Sequence, residues 1–242
     1  MVSLLIKEIN SYLNSLIAYI VMTVFLVGMG LLVWVFPETS VLEYGFAEMD
    51  TFFSLAPYVF LFLIPAITMR SFAEESKSGT LESLFTKPLS SFQIILSKYL
   101  AGFLLVVFAL IPTLIYYLSI YQLGNPPGNL DSAGVVGSYL GLALLGAVYT
   151  SVGIFASSLS ENQIVAFVIA LFLCFFWYSG FGSIAAIDVW GKYSNQLRQA
   201  GLLYHYDSLG KGLIDSRNLI YLFSIILGLL FTTNLVLKIK RW

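Results

Sequence analysis

The sequence predicts an all-α membrane protein with six transmembrane helices in a single domain. Hydrophobic residues make up 59% of the 242 positions and charged residues only 10%, whereas a soluble domain carries about 25% charged residues. The apolar residues form six long runs, each long enough to cross a hydrocarbon core of roughly 30 Å as a helix. Within a transmembrane domain that occupies residues 1–242, the predicted spans cover residues 16–36, 52–69, 99–121, 134–159, 164–181 and 219–237.

An amphipathic segment, residues 2–15, precedes the first span. Its apolar residues recur at helical spacing, with Lys7, Glu8 and several Asn and Ser residues between them. This pattern predicts a helix that lies in the membrane interface; the alternative is a frayed start of the first span. The next apolar run is long and lacks a small-residue cleavage site, so we expect it to be retained rather than removed as a signal peptide.

The stretch from Arg70 to Gln93 is the longest polar interruption in the first two-thirds of the chain. A helix that leaves the second span is expected to reach about Lys77 and to end at Gly79, because glycine commonly follows a helix C-terminus. The next long helix is expected to begin with a capping box formed by Ser90 and Gln93. These local signals predict ordered structure rather than a flexible connector.

Between these two helices the sequence predicts a third, short helix at the membrane surface. Thr80 offers an N-cap oxygen, and Glu82 places a negative charge in the first turn, where the helix dipole favours it. Lys87 would end this helix because the residue before Pro88 avoids helical geometry. Its apolar face would consist of Leu81, Leu84 and Phe85.

The fourth predicted span is rich in small residues that are spaced four apart. Such rows allow two helix backbones to approach closely, so they predict a centrally packed helix or a dimer contact. The alternative is that they reflect the ordinary composition of membrane helices. The pairs are Gly137 and Gly141, Ala147 and Ser151, and Gly153 and Ser157.

The distribution of basic residues predicts that both termini are cytoplasmic. In this orientation the two short outer loops carry no Lys or Arg, as the positive-inside rule favours. The Arg70–Gln93 stretch and the turn at Glu161 then face the cytoplasm. Residues 183–216, between spans five and six, are expected to form one or two short helices on the outer rim of the bundle. The inner basic residues are Lys7, Arg70, Lys77, Lys87, Lys98, Lys238, Lys240 and Arg241, and the outer ones are Lys192, Arg198, Lys211 and Arg217.

Several classes of function are disfavoured by what the sequence lacks. No predicted span has a charged residue or histidine near its centre, which argues against a proton-coupled carrier or an intramembrane hydrolase. The single cysteine, Cys174, permits neither an intrachain disulfide nor a thiolate metal site. His205 has only Asp207 close by, so we expect an ordinary interfacial histidine rather than a metal ligand. A phosphate-binding loop of the Walker type is absent, and the net charge of −1 argues against nucleic acid.

The residues after the second span resemble the signature of ABC-2-type exporter permeases. The six-span layout, the amphipathic N-terminal helix and the small-residue fourth span are also similar to that family, so the likeness covers the whole chain. Within the family, residues 7–20 and 210–217 are most similar to the gliding-motility-associated permease subunits of the GldF type. The residues that carry the signature are Arg70, Glu74, Glu75, Gly79, Thr80, Leu81, Glu82, Leu84, Pro88 and Leu89.

This resemblance implies a permease subunit of an exporter in a bacterial inner membrane, without enzymatic activity or a cofactor of its own. It would pair with a second copy or a sister permease, and separate ATPase subunits would hold the ATP and Mg²⁺. Contacts with the ATPase would involve Glu74, Glu75, Gly79, Thr80, Leu81, Glu82, Leu84, Phe85 and Glu161. The alternative for Glu74, Glu75 and Glu82 is that they form an ordinary solvated helix face rather than a contact with the ATPase. An extracellular gate would include Trp190, Tyr193, Tyr204 and Tyr206.

Two other classes of function remain open at this point. The first is a stand-alone carrier or channel that uses helix breaks at Pro57, Pro65 and Pro112 as binding sites. The second is a membrane scaffold in a larger surface machine.

Overall fold

The described residues fold into helices connected by short turns. The computed structural model describes residues 1–43, 45–86, 89–212 and 215–240. Within these ranges the α-helices are α1 (Val2–Leu13), α2 (Leu16–Trp34), α3 (Asp50–Thr68), α4 (Arg70–Lys77), α5 (Thr80–Phe85), α6 (Ser91–Leu110), α7 (Leu114–Leu123), α8 (Ser132–Leu159), α9 (Gln163–Phe175), α10 (Phe181–Ala185), α11 (Ser194–Gln199), α12 (Leu202–Gly210) and α13 (Ser216–Lys240).

Six helical segments in the described ranges are long and apolar enough to cross a membrane, which confirms the predicted fold class. The third includes α6, a 3₁₀ turn around Pro112 and α7, and the fifth includes α9, a π-helical turn and α10. Five of the six segments extend beyond the predicted spans at one or both ends, whereas the first ends two residues before the predicted residue 36. The segments are Leu16–Trp34, Asp50–Lys77, Ser91–Leu123, Ser132–Leu159, Gln163–Ala185 and Ser216–Lys240.

Helix α8 is the centre of the bundle and packs against α3, α6, α9, α12 and α13. In its most apolar stretch 78% of the residues are buried, compared with 22% in α2, 22% in the segment from α9 to α10 and 28% in α13. These three outer helices therefore expose broad apolar faces, as helices in contact with lipid or another membrane subunit do.

Helix α1 is separate from the first span. It ends at Leu13, and α2 begins only after Asn14 and Ser15. Its buried side chains are Leu4, Glu8 and Tyr12, which lie one above another at intervals of four residues. An apolar stripe that includes Val2 and Ile6 remains exposed, which favours the predicted position in the membrane interface.

The local helix signals around Gly79 and Ser90 are confirmed. Helix α4 ends at Lys77, and Gly79 follows with a φ of +69°, in the left-handed region. At the start of α6 the Gln93 amide donates to Ser90 Oγ (3.3 Å), and the Ser90 amide donates to Gln93 Oε1 (3.1 Å). The predicted capping box is therefore complete.

The N-cap role predicted for Thr80 is wrong. Thr80 is the first residue of α5 itself, and its hydroxyl lies 2.8 Å from Ser78 Oγ and donates to the Glu75 carbonyl at 3.4 Å. The left-handed turn at Gly79 directs this hydroxyl back to the end of α4. Lys87 and Pro88, predicted to end α5, lie outside the described residues.

Replacement of Ser90 by alanine is expected to destabilise the protein by about 1 kcal/mol, the usual cost of losing an N-cap side chain. The Gln93 amide would lose its hydrogen-bond acceptor at the start of α6. Thermal unfolding of the detergent-solubilised protein measures the effect, with Ser3→Ala, an exposed serine of α1, as the control. Equal destabilisation by the two changes would contradict the capping role.

Candidate functional site

Helices α4 and α5 and the turn between α8 and α9 lie together at one end of the bundle. We call residues 70–86 and 160–162 the α4–α5 surface. Helix α4 packs on α8 and α9, and the Ser76 hydroxyl donates to Glu161 Oε1 at 3.3 Å. The structure thus brings Glu161 beside the segment whose residues the sequence had singled out, across a separation of 85 positions.

A break in the helix at Met69 separates α3 from α4, and Ser157 of α8 satisfies the backbone groups at this break. Ser157 Oγ accepts hydrogen bonds from the amides of Phe72 (2.9 Å) and Ala73 (3.1 Å) and donates to the Met69 carbonyl (2.8 Å). One side chain of α8 thus supplies partners that a continuous helix would provide from within. The start of α4 is therefore held to the central helix.

Close contact between α8 and α3 surrounds this hydrogen-bonded break. A Cβ atom at Gly153 would overlap Thr68 Oγ1 and would lie 2.8 Å from Thr68 Cβ. Only glycine therefore permits this distance between the two backbones. If α4 moved about Met69, the close contact between α8 and α3 at the adjacent Thr68 would be disturbed as well.

The other small residues of the predicted row in α8 are packed inside the same chain. Gly137 and Gly141 face α12, where added Cβ atoms would crowd the Leu209 carbonyl and the side chains of Leu209 and Tyr206. Ala147 and Ser151 are buried, and the Ser151 hydroxyl donates to the Val148 carbonyl of its own helix. The predicted row of small residues thus serves the packing of one chain, and a dimer contact through it stays a prediction.

The predicted ATPase contacts differ in their exposure. The side chains of Glu74, Thr80 and Glu82 are exposed, as is Gly79, whereas Glu75 and Leu81 are partly buried. Glu161 is exposed at the adjoining turn. The side chains of Leu84 and Phe85 lie outside the described part. The exposed carboxylates of Glu74, Glu82 and Glu161 outnumber the exposed ammonium group of Lys77 and give this surface a negative character.

A cluster of charged residues, which we call the Lys98 cluster, lies behind the α4–α5 surface and consists of Glu8, Glu75 and Lys98. Lys98 Nζ lies 2.8 Å from Glu75 Oε1 and 3.3 Å from Glu8 Oε2, and its side chain is only 2% exposed. The three residues belong to α4, α1 and α6. Lys7, which is 57% exposed, lies at the edge of the cluster, 3.4 Å from Glu8 Oε1 and 3.9 Å from Glu75 Oε1.

Sequence reasoning missed this cluster. It counted Lys98 only as one inner basic charge and placed Glu8 among the polar residues of α1. One signal was present, because Leu4, Glu8 and Tyr12 share a helix face and thus place a carboxylate among buried residues. The buried partner of that carboxylate, Lys98, is 90 positions away, beyond the reach of any local pattern.

Tyr12 and Ser71 form a second polar link between α1 and α4. The Tyr12 hydroxyl lies 2.9 Å from Ser71 Oγ. Burial raises the pKa of Tyr12 to about 12, so this hydroxyl stays protonated at neutral pH and remains able to donate. The Arg70 guanidinium lies over the Tyr12 ring, 5.5 Å from its centroid, in the geometry of a cation–π contact.

The residues predicted to form an extracellular gate do not share one environment. Trp190 and Tyr193 are exposed in a 3₁₀ segment, Asp188–Tyr193, and Tyr204 of α12 is exposed as well. Tyr206 is buried, and its hydroxyl donates to the Phe53 carbonyl at 2.7 Å, so it joins α12 to α3. Tyr206 is therefore placed to hold this end of the bundle together.

His205 joins α12 to α13 and to the end of α11. Its Nδ1 lies 2.7 Å from Asn218 Oδ1, its Nε2 lies 2.9 Å from the Gln199 carbonyl, and its ring stacks on Tyr221 at 3.9 Å. Both ring nitrogens thus have protein partners. No group of three or more His, Cys, Asp or Glu residues in the described ranges is arranged to hold a metal ion.

A comparison with models of protein families identifies the family of this chain. Residues 36–201 match the family model described as "ABC-2 family transporter protein". The match covers more than half of the chain and includes α3 to α11, so both parts of the α4–α5 surface fall within it. No curated protein is similar enough to match.

Proposed function

This chain belongs to the ABC-2 transporter family, and from that premise we propose that it is the permease subunit of an ATP-binding-cassette exporter. Membership makes it a membrane component of a transporter, and its six apolar helical segments make it a multi-pass membrane protein. In the proposal, separate ATPase subunits bind ATP and Mg²⁺ and dock on the α4–α5 surface.

One observation carries this proposal: the α4–α5 surface is exposed on one side and fastened to the bundle on the other. Gly79, Thr80 and Glu82 are open to solvent, whereas Ser157 holds the start of α4 to α8 by three hydrogen bonds. Glu161 holds its middle through Ser76. A partner that displaces the exposed side would therefore move α4 against α3 and α8.

The charges of this surface indicate the chemistry of the docking partner. Glu74, Glu82 and Glu161 are exposed carboxylates, so a complementary ATPase surface would present lysine or arginine side chains. Complementary charge at such an interface accelerates association and fixes the orientation of the partners.

We also propose where the protein is located and which subunit it pairs with. Eight of the twelve Lys and Arg residues fall on this side of the membrane in the predicted topology, which favours the cytoplasm for this end of the bundle. We place the protein in a bacterial inner membrane, paired with a second permease copy or a sister permease. The resemblance to GldF-type subunits favours a role linked to gliding motility.

The experiment measures ATP turnover by membranes that contain this chain together with its ATPase. Gly79→Pro is expected to lower turnover to the level of the ATPase alone, because proline cannot adopt the φ of +69° at this position. Glu82→Lys is expected to lower it by reversing one exposed charge. Glu43→Lys makes the same change of charge at an exposed residue in the loop after α2 and serves as the control.

Assembly is measured alongside by co-purification of the two subunits. Unchanged turnover in both variants, with assembly intact, would contradict the proposal. Solute movement by the purified chain alone in liposomes, without nucleotide, would favour the stand-alone carrier instead.

A further inference from the structure

Helices α1 and α4 are connected across a polar cleft rather than by packed backbones. The cleft has a volume of about 380 Å³, and its lining includes Lys7, Ser11, Arg70, Glu74 and Lys98. In contrast, α1 packs along α6 over much of its length. The connection of α1 to α4 therefore depends on side-chain links that reach across or beneath this cleft.

Lys98 supplies the link that joins three helices at one atom. Its ammonium group, on α6, lies 2.8 Å from a carboxylate oxygen of α4 and 3.3 Å from one of α1. Three donors on an ammonium group allow both carboxylates to be bound at once. The Phe72 ring of α4 lies 5.3 Å from the same nitrogen, so α4 contacts Lys98 through both charge and ring.

Because the Lys98 cluster is buried, each of its charges needs a neighbour of opposite sign to stay there. Lys98 and Glu8 are the charged residues that lie buried among the described side chains, and a buried charge is strongly unfavourable without a partner of opposite sign. Displacement of α4 alone would take Glu75 from Lys98, and displacement of α1 alone would take Glu8. The arrangement with the lowest electrostatic energy is one in which both helices keep their positions around Lys98.

Stability alone is a weak explanation for such a cluster. Apolar residues of similar volume usually stabilise a buried site as well as an ion pair does, whereas fixing one relative position is a recognised role of buried ionic groups. Glu75 Oε2 is also buried without a hydrogen-bond partner. The cluster therefore leaves one of its buried polar atoms without a hydrogen bond, which does not favour stability.

We propose that Lys98 is a positioning residue that holds α1 and α4 in one position on the first half of α6, so that all three move as one body. The inference deepens the proposed function, since it rests on α4 being part of the surface that the ATPase displaces. A displacement of α4 would then carry α1 with it, and the amphipathic helix becomes a moving part of the permease. Lys98 acts through Glu75 and Glu8 and need not contact the ATPase itself.

The first test measures the distance between α1 and α4 by electron spin resonance. Spin labels are attached at Ser11→Cys and Lys77→Cys, two exposed positions, after Cys174→Ala has removed the single native cysteine. The full chain with native Lys98 is expected to give one narrow distance distribution. Lys98→Met is expected to lose that narrow peak. Lys7→Met is expected to keep it, because Lys7 is exposed to solvent in its ion pairs with Glu8 and Glu75, and exposed pairs contribute little.

A triple variant separates positioning from folding. Glu8→Gln, Lys98→Met and Glu75→Gln together remove the charged link at Lys98 without leaving an unpaired buried charge, and they leave the hydrogen bond between Tyr12 and Ser71 in place. We expect this variant to regain the melting temperature lost in Lys98→Met but still to lack the narrow distance peak. A narrow peak in the folded triple variant would overturn the proposal, as would failure of that variant to fold or loss of the peak in Lys7→Met.

The final measurement adds the ATPase and records ATP turnover. The triple variant is expected to lose the stimulation of turnover by the permease, while Lys98→Arg, which keeps the cation, is expected to retain part of it. Full stimulation in the triple variant would overturn the positioning role. The distance measurement needs no ATPase, so its result does not depend on ATP turnover. If the native protein does not stimulate ATP turnover, that outcome contradicts the proposed function but not the role of Lys98.

Discussion

Gly153→Ala is expected to destabilise the folded bundle by about 3 kcal/mol, at the upper end of the usual cost of overpacking a core. The added Cβ would overlap Thr68 Oγ1 and lie 2.8 Å from Thr68 Cβ, so a rotation of the threonine side chain cannot relieve the whole contact. The backbones of α3 and α8 would have to separate. Thermal unfolding in detergent should show a melting temperature lower by roughly 6–12 °C.

The same substitution at Gly228 provides the control. Gly228 lies in α13 with no atom within 4 Å of an added Cβ, and alanine is a better helix former than glycine by roughly 0.5–1 kcal/mol. Gly228→Ala should therefore leave the melting temperature unchanged or raise it. Adding Thr68→Ala to Gly153→Ala should restore part of the loss, because it removes the overlapping oxygen. Equal melting temperatures for the two glycine variants would contradict the close contact between α8 and α3 at Gly153.

Ser157→Ala is expected to cost about 2–4 kcal/mol, because it leaves two buried amides without their acceptor. These are the amides of Phe72 and Ala73, and the Met69 carbonyl also loses a donor. The start of α4 should then open more often. Hydrogen exchange followed by mass spectrometry should show faster exchange in peptides that cover residues 70–77.

Ser158→Ala is a matched control for this prediction. Ser158 is the next residue of α8 and is also buried, but its hydroxyl donates to the Phe155 carbonyl within its own helix. Its loss should have a small effect, since a carbonyl inside a helix keeps its backbone partner. Equal exchange at residues 70–77 in both variants would show that Ser157 does not hold α4.

Features governed by residues close in sequence were predicted well. The end of α4 near Gly79 and the capping box of Ser90 and Gln93 follow from rules that act within one helical turn. The role of Thr80 was not predicted, because its hydroxyl turns back to Ser78 and the Glu75 carbonyl once Gly79 adopts its left-handed conformation. Even a local signal therefore depends on the geometry of its neighbour.

The candidate site was predicted in part. The sequence located the α4–α5 segment and the turn at Glu161 separately, and the structure shows them in contact through Ser76. It showed a row of small residues in α8 without indicating what each one meets. Thr68 lies opposite Gly153, and Leu209 lies opposite Gly137; these pairs come from helices far apart along the chain.

The sequence by itself determined that this protein is a six-span helical bundle with an ordered polar segment after its second span. Apolar length and local capping are enough for that, because each helix satisfies its own backbone hydrogen bonds in a membrane. Only the tertiary structure decided that Ser157 holds the start of α4 and that Lys98 joins α1, α4 and α6. Such contacts depend on how helices pack side by side, and residues up to 90 positions apart meet there.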